Sequence, residues 1–112
     1  IDSGQAFNVI YAENDDMAKG AVAALDKANI SHGVGKDVIV MGFDCNKWAL
    51  EELLNQNWNY DGQCNPYQAS YIEDVIKKLE SGEKIDEKTI IMDEKGFDAT
   101  TITQDDVDQF GI

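Results

Sequence analysis

Residues 7–18 read FNVIYAENDDMA, a short apolar run that is followed directly by a cluster of acids and an amide. Residues 37–44, DVIVMGFD, repeat this arrangement and end at Asp44. Short apolar runs of this kind predict strands that are buried on both faces, as in a parallel sheet. Ligands of open α/β sheets bind beyond the carboxyl ends of the parallel strands. The two clusters therefore predict a polar-ligand site, with Asn14 and Asp44 as the first candidates.

The rest of the chain alternates between helical and strand patterns. Asn14 or Asp15 is suited to cap a first helix, and apolar residues then recur at helical spacing. The further predicted elements are a strand at residues 37–41, a helix at 46–56, a strand at 58–60, a helix from Pro66 to a stop at Ser81-Gly82, a strand at 88–92 and a terminal helix with a capping box of Thr103 and Asp106. This βαβαβαβ order predicts an α/β fold with a doubly wound parallel sheet in a single unit, residues 1–112.

The charge balance excludes one class of partner. The chain of 112 residues has 22 acids and nine basic residues, all of them lysine, and its net charge is −13. A surface that binds nucleic acid needs clustered positive charge, so we expect no nucleic-acid partner. The same excess of acids argues against binding to anionic membranes.

Chemistry that requires a metal, a cofactor or a nucleophile has little support in the sequence. Cys45 and Cys64 do not have the spacing of zinc ligands, and no serine or cysteine is visibly paired with a histidine and an acid. We therefore expect no metal, no cofactor and no enzymatic activity. The two cysteines are compatible either with free thiols or with a disulfide, because their separation in space does not follow from the sequence.

Three ordered motifs carry a resemblance to a known family. They are YAENDDMAKGA at residues 11–21, GKDVIVMGFD at 35–44 and CNPY at 64–67. Over residues 7–92 the chain resembles the C-terminal half of periplasmic-type sugar-binding proteins, the ribose and galactose class of ABC-importer receptors. The resemblance implies an incomplete lobe of the type I periplasmic-binding-protein fold. It also implies that the chain is a C-terminal fragment of a receptor that closes two lobes on a monosaccharide and presents it to a permease, outside the cytoplasmic membrane in the periplasm or as a lipoprotein.

The resemblance also implies a set of binding residues. Asn14 and Asp44 correspond to the family's contacts to sugar hydroxyls, and Cys64, with Gln63 and Asn65 beside it, corresponds to a third contact near the hinge. The Cys-Asn-Pro sequence resembles the branch that includes galactofuranose receptors. Carboxylate and amide groups suit this role, because together they donate to and accept from neighbouring hydroxyls.

The family's chain path further implies a division of this chain. Residues 1–63 would belong to the C-terminal lobe, and residues 64–112 would form a hinge-crossing segment, a helix, a strand and a tail. The helix after Pro66 has an apolar stripe of Ile72, Val75, Ile76 and Leu79. An exposed stripe of this size predicts association. The chain is therefore expected either to fold back into a compact sheet or to form a homodimer.

Several alternatives remain open at this point. Asn14 and Asp44 could serve only as helix caps, and Trp48 is expected to supply buried area rather than to stack on a sugar. A receiver-like phosphoacceptor domain also has clustered aspartates after its first strand, although Asp44 lacks the Met-Pro turn expected there. The effector-binding core of a sugar-responsive transcriptional repressor would share the same fold.

Overall fold

The computed structural model describes all 112 residues, which form two compact units. Unit 1 comprises residues 1–64 and 95–112, and unit 2 comprises residues 65–94. The elements in chain order are β1 (Val9–Tyr11), α1 (Asp15–Lys27), β2 (Ile39–Asp44), α2 (Lys47–Leu54), β3 (Tyr60–Gln63), α3 (Ala69–Glu80), β4 (Gly96–Asp98) and α4 (Gln104–Phe110). None of the four helices combines the length and the apolar character needed to cross a lipid bilayer.

The sheet of unit 1 contains the four strands in the order β1-β2-β3-β4. β1 pairs in parallel with β2, and β2 pairs in parallel with β3, which confirms the predicted α/β fold with a mostly parallel sheet. The register places Asp44 opposite Gln63, so the carboxyl ends of neighbouring strands lie side by side. β4 is the exception, because it pairs with β3 in the antiparallel direction. A doubly wound sheet contains a point at which the strand order reverses. These four strands follow one another in chain order, so such a reversal would need further strands.

One face of the sheet packs against α1, α2 and α4 and contains the core of unit 1. Trp58 is its largest member and is 1% exposed. Helical periodicity supplies the matching side chains, because residues three and four positions apart lie on one face of a helix. The core consists of Ala12, Ala18, Leu25, Val38, Val40, Cys45, Ala49, Leu50, Leu53, Trp58, Phe97, Ala99 and Val107.

The opposite face of the sheet remains open. Successive side chains of a strand point to opposite faces, and Val9, Tyr11 and Ile39 on this face remain 47%, 62% and 41% exposed. Three aromatic rings form a row across it, with centroid distances of 5.1 Å from Tyr11 to Phe43 and 6.5 Å from Phe43 to Tyr60. Unit 1 therefore presents an apolar and aromatic sheet surface. The prediction that its strands are buried on both faces is wrong, because the helices of unit 1 pack on the other face.

The prediction of a strand at residues 88–92 is wrong. In unit 2, residues 83–94 have no regular secondary structure, and Ile91 is 87% exposed. A strand needs a neighbouring strand to satisfy its backbone donors and acceptors, and unit 2 contains none. The fourth strand is instead β4, which lies next to β3 in unit 1.

Other boundaries also differ from those predicted. β3 begins at Tyr60 rather than at Trp58, because Trp58 enters the core ahead of the strand. α3 begins at Ala69 rather than at Pro66, because the Asn65 side chain accepts a hydrogen bond from the Tyr67 N–H (2.9 Å) and holds a turn there.

The predicted helix ends are mostly confirmed. Asn14 caps α1, and Thr103 forms a capping box with Asp106 at the start of α4. α3 ends at Glu80, and Gly82 follows with a φ of 77°, a conformation that glycine adopts readily. No residue of α3 is buried, so its apolar stripe stays exposed.

Candidate functional site

The candidate site lies at the carboxyl ends of the parallel strands of unit 1. Asn14 follows β1, Asp44 is the last residue of β2, and Gln63 is the last residue of β3. Tyr11 pairs with Met41, and Asp44 pairs with Gln63, so the three strand ends are neighbours in the sheet. The strand-end residues that the sequence singles out therefore share one edge of one sheet.

Asn14 caps α1 but keeps free hydrogen-bonding capacity. Its side-chain oxygen accepts from the Met17 N–H at 2.8 Å, and its backbone is extended with a φ of −155°. The side-chain NH₂ donates to no group of the chain, and the residue is partly exposed. Capping and ligand binding are thus compatible at this position, because they use different atoms.

Asp44 has an unusual backbone. Its φ is 124° and that of Cys45 is 61°, both in a region that favours glycine. Such outliers cost about 1–3 kcal/mol each and cluster at functional sites. The cap of α2 is Asn46, and the half-buried Asp44 carboxylate accepts no hydrogen bond within the chain. Helix capping therefore does not account for Asp44, and its carboxylate is available to a ligand.

Two buried acids, Asp15 and Asp61, lie directly below this edge, and each is 0% exposed. Asp15 accepts hydrogen bonds from the backbone N–H (2.9 Å) and the side-chain amide (3.1 Å) of Asn46. Burial raises the pKa of both carboxyl groups, and at Asp61 the charge of Asp15 adds to this effect. From the sequence, Asp15 is identified only as a candidate helix cap, and Asp61 is not singled out. An acid in the middle of a strand, between Tyr60 and Gly62, is the signal that could have identified Asp61.

The three residues of the predicted third contact differ in how many of their hydrogen-bonding groups remain free. The Gln63 side-chain oxygen accepts from the Lys95 N–H at 3.2 Å, which leaves its NH₂ as the available group. Cys64 is exposed and Cys45 is buried, and both thiols are free. Asn65 lies in unit 2, where its side-chain oxygen holds the turn to Tyr67.

Trp48 belongs to the packing of the helices rather than to the strand-end site. Its ring meets that of Trp58 edge to face, with 5.8 Å between the centroids. The Lys19 ammonium lies 4.5 Å from the centroid of the Trp48 ring. These contacts agree with the expectation that Trp48 supplies buried area.

The parallel strands, their crossover helices and the polar groups at one edge give unit 1 the α/β architecture in which ligands bind at the carboxyl ends of the strands. The fold is that of type I periplasmic binding proteins. A galactofuranose-binding protein superposes on 97% of this chain and 36% of its own chain with a TM-score of 0.81, at 21% identity.

Sequence comparisons lead to the same class of protein. No family model matches the sequence. The fructose import binding protein FruE of Bifidobacterium longum is 33% identical over 92 residues, which is 82% of this chain and 27% of that protein. The ribose import binding protein RbsB of Bacillus subtilis is 40% identical over 47 residues, which is 42% of this chain and 13% of that protein. The chain thus spans about a quarter or less of the length of these curated relatives.

A second solved structure, more similar in sequence than the galactofuranose-binding protein, also belongs to a sugar importer. The periplasmic binding protein of the arabinose ABC transporter from Shewanella sp. ANA-3, bound to α- and β-L-arabinofuranose, is 26% identical. It superposes with a TM-score of 0.76 over 88% of this chain and 32% of its own. The homologues of the chain, in sequence and in structure, are therefore sugar-binding proteins of ABC importers, and the chain covers only part of each.

Proposed function

We propose that this chain is part of the sugar-binding component of an ABC importer and that its strand-end site contacts a monosaccharide. The observation that carries the proposal is the position of Asn14 and Asp44 at the ends of neighbouring parallel strands, each with hydrogen-bonding groups that no residue of the chain uses. The homologues of the chain are sugar-binding proteins, which favours a sugar over other polar ligands.

The chemistry of the two side chains suits a sugar. The Asp44 carboxylate can accept hydrogen bonds from two adjacent hydroxyl groups, and the Asn14 NH₂ can donate to a hydroxyl or ring oxygen. Bonds to a carboxylate are stronger than neutral ones. The NH₂ of Gln63, the exposed thiol of Cys64 and the partly exposed side chain of Asn65 are the proposed source of further contacts near the hinge.

Furanose forms are the sugars that we propose to test first. The Cys-Asn-Pro sequence at residues 64–66 resembles the galactofuranose branch, and the arabinose-transporter protein was solved with a bound arabinofuranose. A related structure from Mycobacterium smegmatis was solved with β-D-fucofuranose, at 28% identity. Fructose and ribose, named for the curated relatives, belong in the same panel.

The partners and the location follow from the same proposal. A receptor of this kind would act outside the cytoplasmic membrane and present its sugar to an ABC-transporter permease, without catalysing a reaction. We further propose that residues 1–63 are part of the C-terminal lobe and that residues 64–112 form the hinge-crossing segment, the helix and the tail. The compactness of residues 1–64 supports the first boundary, whereas residues 95–112 pack with them in unit 1.

A titration followed by NMR tests the sugar site on the 112-residue chain itself. We expect weak binding, with a dissociation constant of about 1 mM or higher, or about −4 kcal/mol, because closure of the second lobe normally supplies much of the contact. Backbone amide signals of Asn14, Asp44 and Gln63 should shift on addition of the cognate sugar. Asp44→Asn should weaken binding about tenfold or more, since a hydrogen bond to a charged group contributes about 1.5–3 kcal/mol.

The matched control is Asp105→Asn. Asp105 is exposed on α4 and its side chain makes no hydrogen bond, so this variant loses the same charge away from the site and should bind like the wild type. A well-dispersed spectrum that no sugar of the panel changes would overturn the proposal. Shifts with magnesium and a phosphoryl analogue instead would favour the receiver-like alternative.

A further inference from the structure

The carboxyl groups of Asp15 and Asp61, here called the buried pair, have no cation to neutralise them. Asp15 is the first residue of α1 and Asp61 lies within β3, and the consecutive residues Cys45 and Asn46 contact both carboxyl groups, Cys45 that of Asp61 and Asn46 that of Asp15. The three ion pairs of the chain all involve other residues. Two adjacent ionised carboxylates in a dry interior repel each other strongly, so the pair is stable only if it carries less than two negative charges.

Each carboxyl group has one oxygen with protein donors and one without. Asp15 Oδ2 accepts both bonds from Asn46, and Asp61 Oδ1 faces the N–H (3.4 Å) and the thiol (3.8 Å) of Cys45. Asp15 Oδ1 and Asp61 Oδ2 are buried without a donor. One proton held between the two groups turns one carboxyl into a donor, which removes the repulsion and provides a hydrogen bond within the pair.

The surroundings of the buried pair favour retention of this proton. Asp44 at the end of β2 adds negative charge, whereas the N–H of Cys45 donates to Asp61 and acts in the opposite direction. No lysine or histidine acts on either carboxyl group. Burial, and secondly the charge of Asp15, raise the pKa of Asp61 to about 8. Because Asn46 donates twice to Asp15, the negative charge is better stabilised there and the proton resides on Asp61.

The donors to the buried pair are the residues that follow Asp44 in the chain. The N–H groups of Cys45 and Asn46 point to the two carboxyl groups, and the Cys45 carbonyl accepts from the Ile112 N–H at 3.1 Å. Positive φ angles at Asp44 and Cys45 persist only when the surrounding structure holds them. The hydrogen bonds from Cys45 and Asn46 to the buried pair stabilise the turn in this conformation.

We propose that Asp15 and Asp61 share one proton and act as positioning residues, which hold the turn at Asp44 against the Asn14 end of α1. The inference rests on the proposed sugar site, because Asn14 and Asp44 are the contacts that the pair would keep at a fixed separation. Loss of the shared proton to solvent would leave two charges in contact, and the turn would then separate from α1. Sugar binding is thereby linked to the pH.

The direction of the pH effect on folding follows from the raised pKa. The stability contributed by the shared proton is fully present below about pH 4, the ordinary range of an aspartate, and is lost as the pH rises to about 8. In this window the folded chain holds one proton more than the unfolded chain. From this source the unfolding equilibrium constant rises about tenfold per pH unit. Asp61→Asn keeps a donor toward Asp15 without a titrating group and should remove this slope.

The experiment compares the wild type with Asp61→Asn, Asp15→Asn and the control Asp105→Asn. Urea unfolding is measured from about pH 5 to about pH 9, and carbon NMR of the aspartate carboxyl groups reports their protonation directly. The sugar that binds in the NMR titration is then titrated at both ends of this range. Asp15→Asn likewise leaves one carboxylate and one amide donor in the pair. It serves as the second test variant if Asp61→Asn fails to fold.

We expect the unfolding constant of the wild type to rise about tenfold per pH unit relative to either pair variant, up to about pH 8. Sugar affinity should fall at alkaline pH in the wild type and in Asp105→Asn but not in the pair variants. Two ionised carboxyl groups at neutral pH, or parallel pH profiles for all proteins, would overturn the shared proton. Pair variants whose sugar affinity falls with pH as in the wild type would overturn the positioning role. If no sugar binds to any protein, the proposed function fails, while the unfolding and carboxyl data still decide whether the proton is shared.

Discussion

Replacing Asp44 by glycine should stabilise the fold and at the same time remove the proposed sugar contact. The φ of 124° at this position places a Cβ atom in a sterically unfavourable region, at about 1–3 kcal/mol for a residue other than glycine. Glycine avoids this strain but gains conformational freedom in the unfolded chain, which offsets about 0.5–1 kcal/mol. Asp44→Gly should therefore be about 1 kcal/mol more stable than Asp44→Ala.

The comparison with Asp44→Ala isolates the free-energy cost of a Cβ atom at this backbone conformation. Both variants lose the carboxylate and its repulsion with Asp15 and Asp61, so only the Cβ atom differs between them. Urea unfolding gives the difference in free energy of unfolding directly. Thermal unfolding should show a melting temperature about 4 °C higher for Asp44→Gly in a chain of this size.

A result in the opposite direction would refute the reasoning. If Asp44→Ala were as stable as Asp44→Gly, the turn would not be strained, and the unusual φ would carry no information about function. Neither variant should bind sugar as the wild type does. Retained sugar binding in both would remove Asp44 from the site while leaving the strain argument intact.

Two further predictions concern packing and assembly. Gly42→Ala should destabilise the fold by about 1–3 kcal/mol, because its Cβ would lie 2.5 Å from Asp15 Oδ1 and 2.8 Å from the Trp58 ring. Gly20→Ala, where a Cβ meets nothing within 4 Å, is the control and should gain up to about 1 kcal/mol in urea unfolding. The exposed stripe of α3 predicts that two copies of the chain associate, and Ile76→Glu should then give a monomer in light scattering. A wild type that is monomeric at high concentration would contradict this prediction.

Local sequence patterns predict the elements that local interactions determine. The apolar stripe of α1 and the cap at Asn14 follow from helical spacing and from side-chain chemistry a few residues away. The run Val38–Val40 predicts a parallel strand, which the pairing of β1 with β2 confirms. Burial on both faces is not confirmed, because Ile39 lies on the open face of the sheet and is 41% exposed. The placement of Asn14 and Asp44 at strand ends follows from these two elements.

Local sequence patterns do not predict which distant segments pair with each other. The stretch Thr89–Met92 has strand-like composition but no neighbouring strand, whereas Gly96–Asp98 has a weak pattern and pairs with β3. Glycine at position 96 fits this pairing, because a Cβ there would collide with the Tyr60 side chain. The choice between the two segments depends on which one can reach an open sheet edge with its hydrogen bonds satisfied.

The amino-acid sequence by itself determined the α/β alternation, the helix caps and the presence of Asn14 and Asp44 at the ends of two strands, since each depends on residues close together in the chain. Only the tertiary structure decided that Asp15 and Asp61 meet in a dry interior and that Asp44 adopts a positive φ. These features depend on contacts between α1, β2 and β3, whose residues lie far apart in sequence. Burial and charge repulsion arise only when those elements pack together.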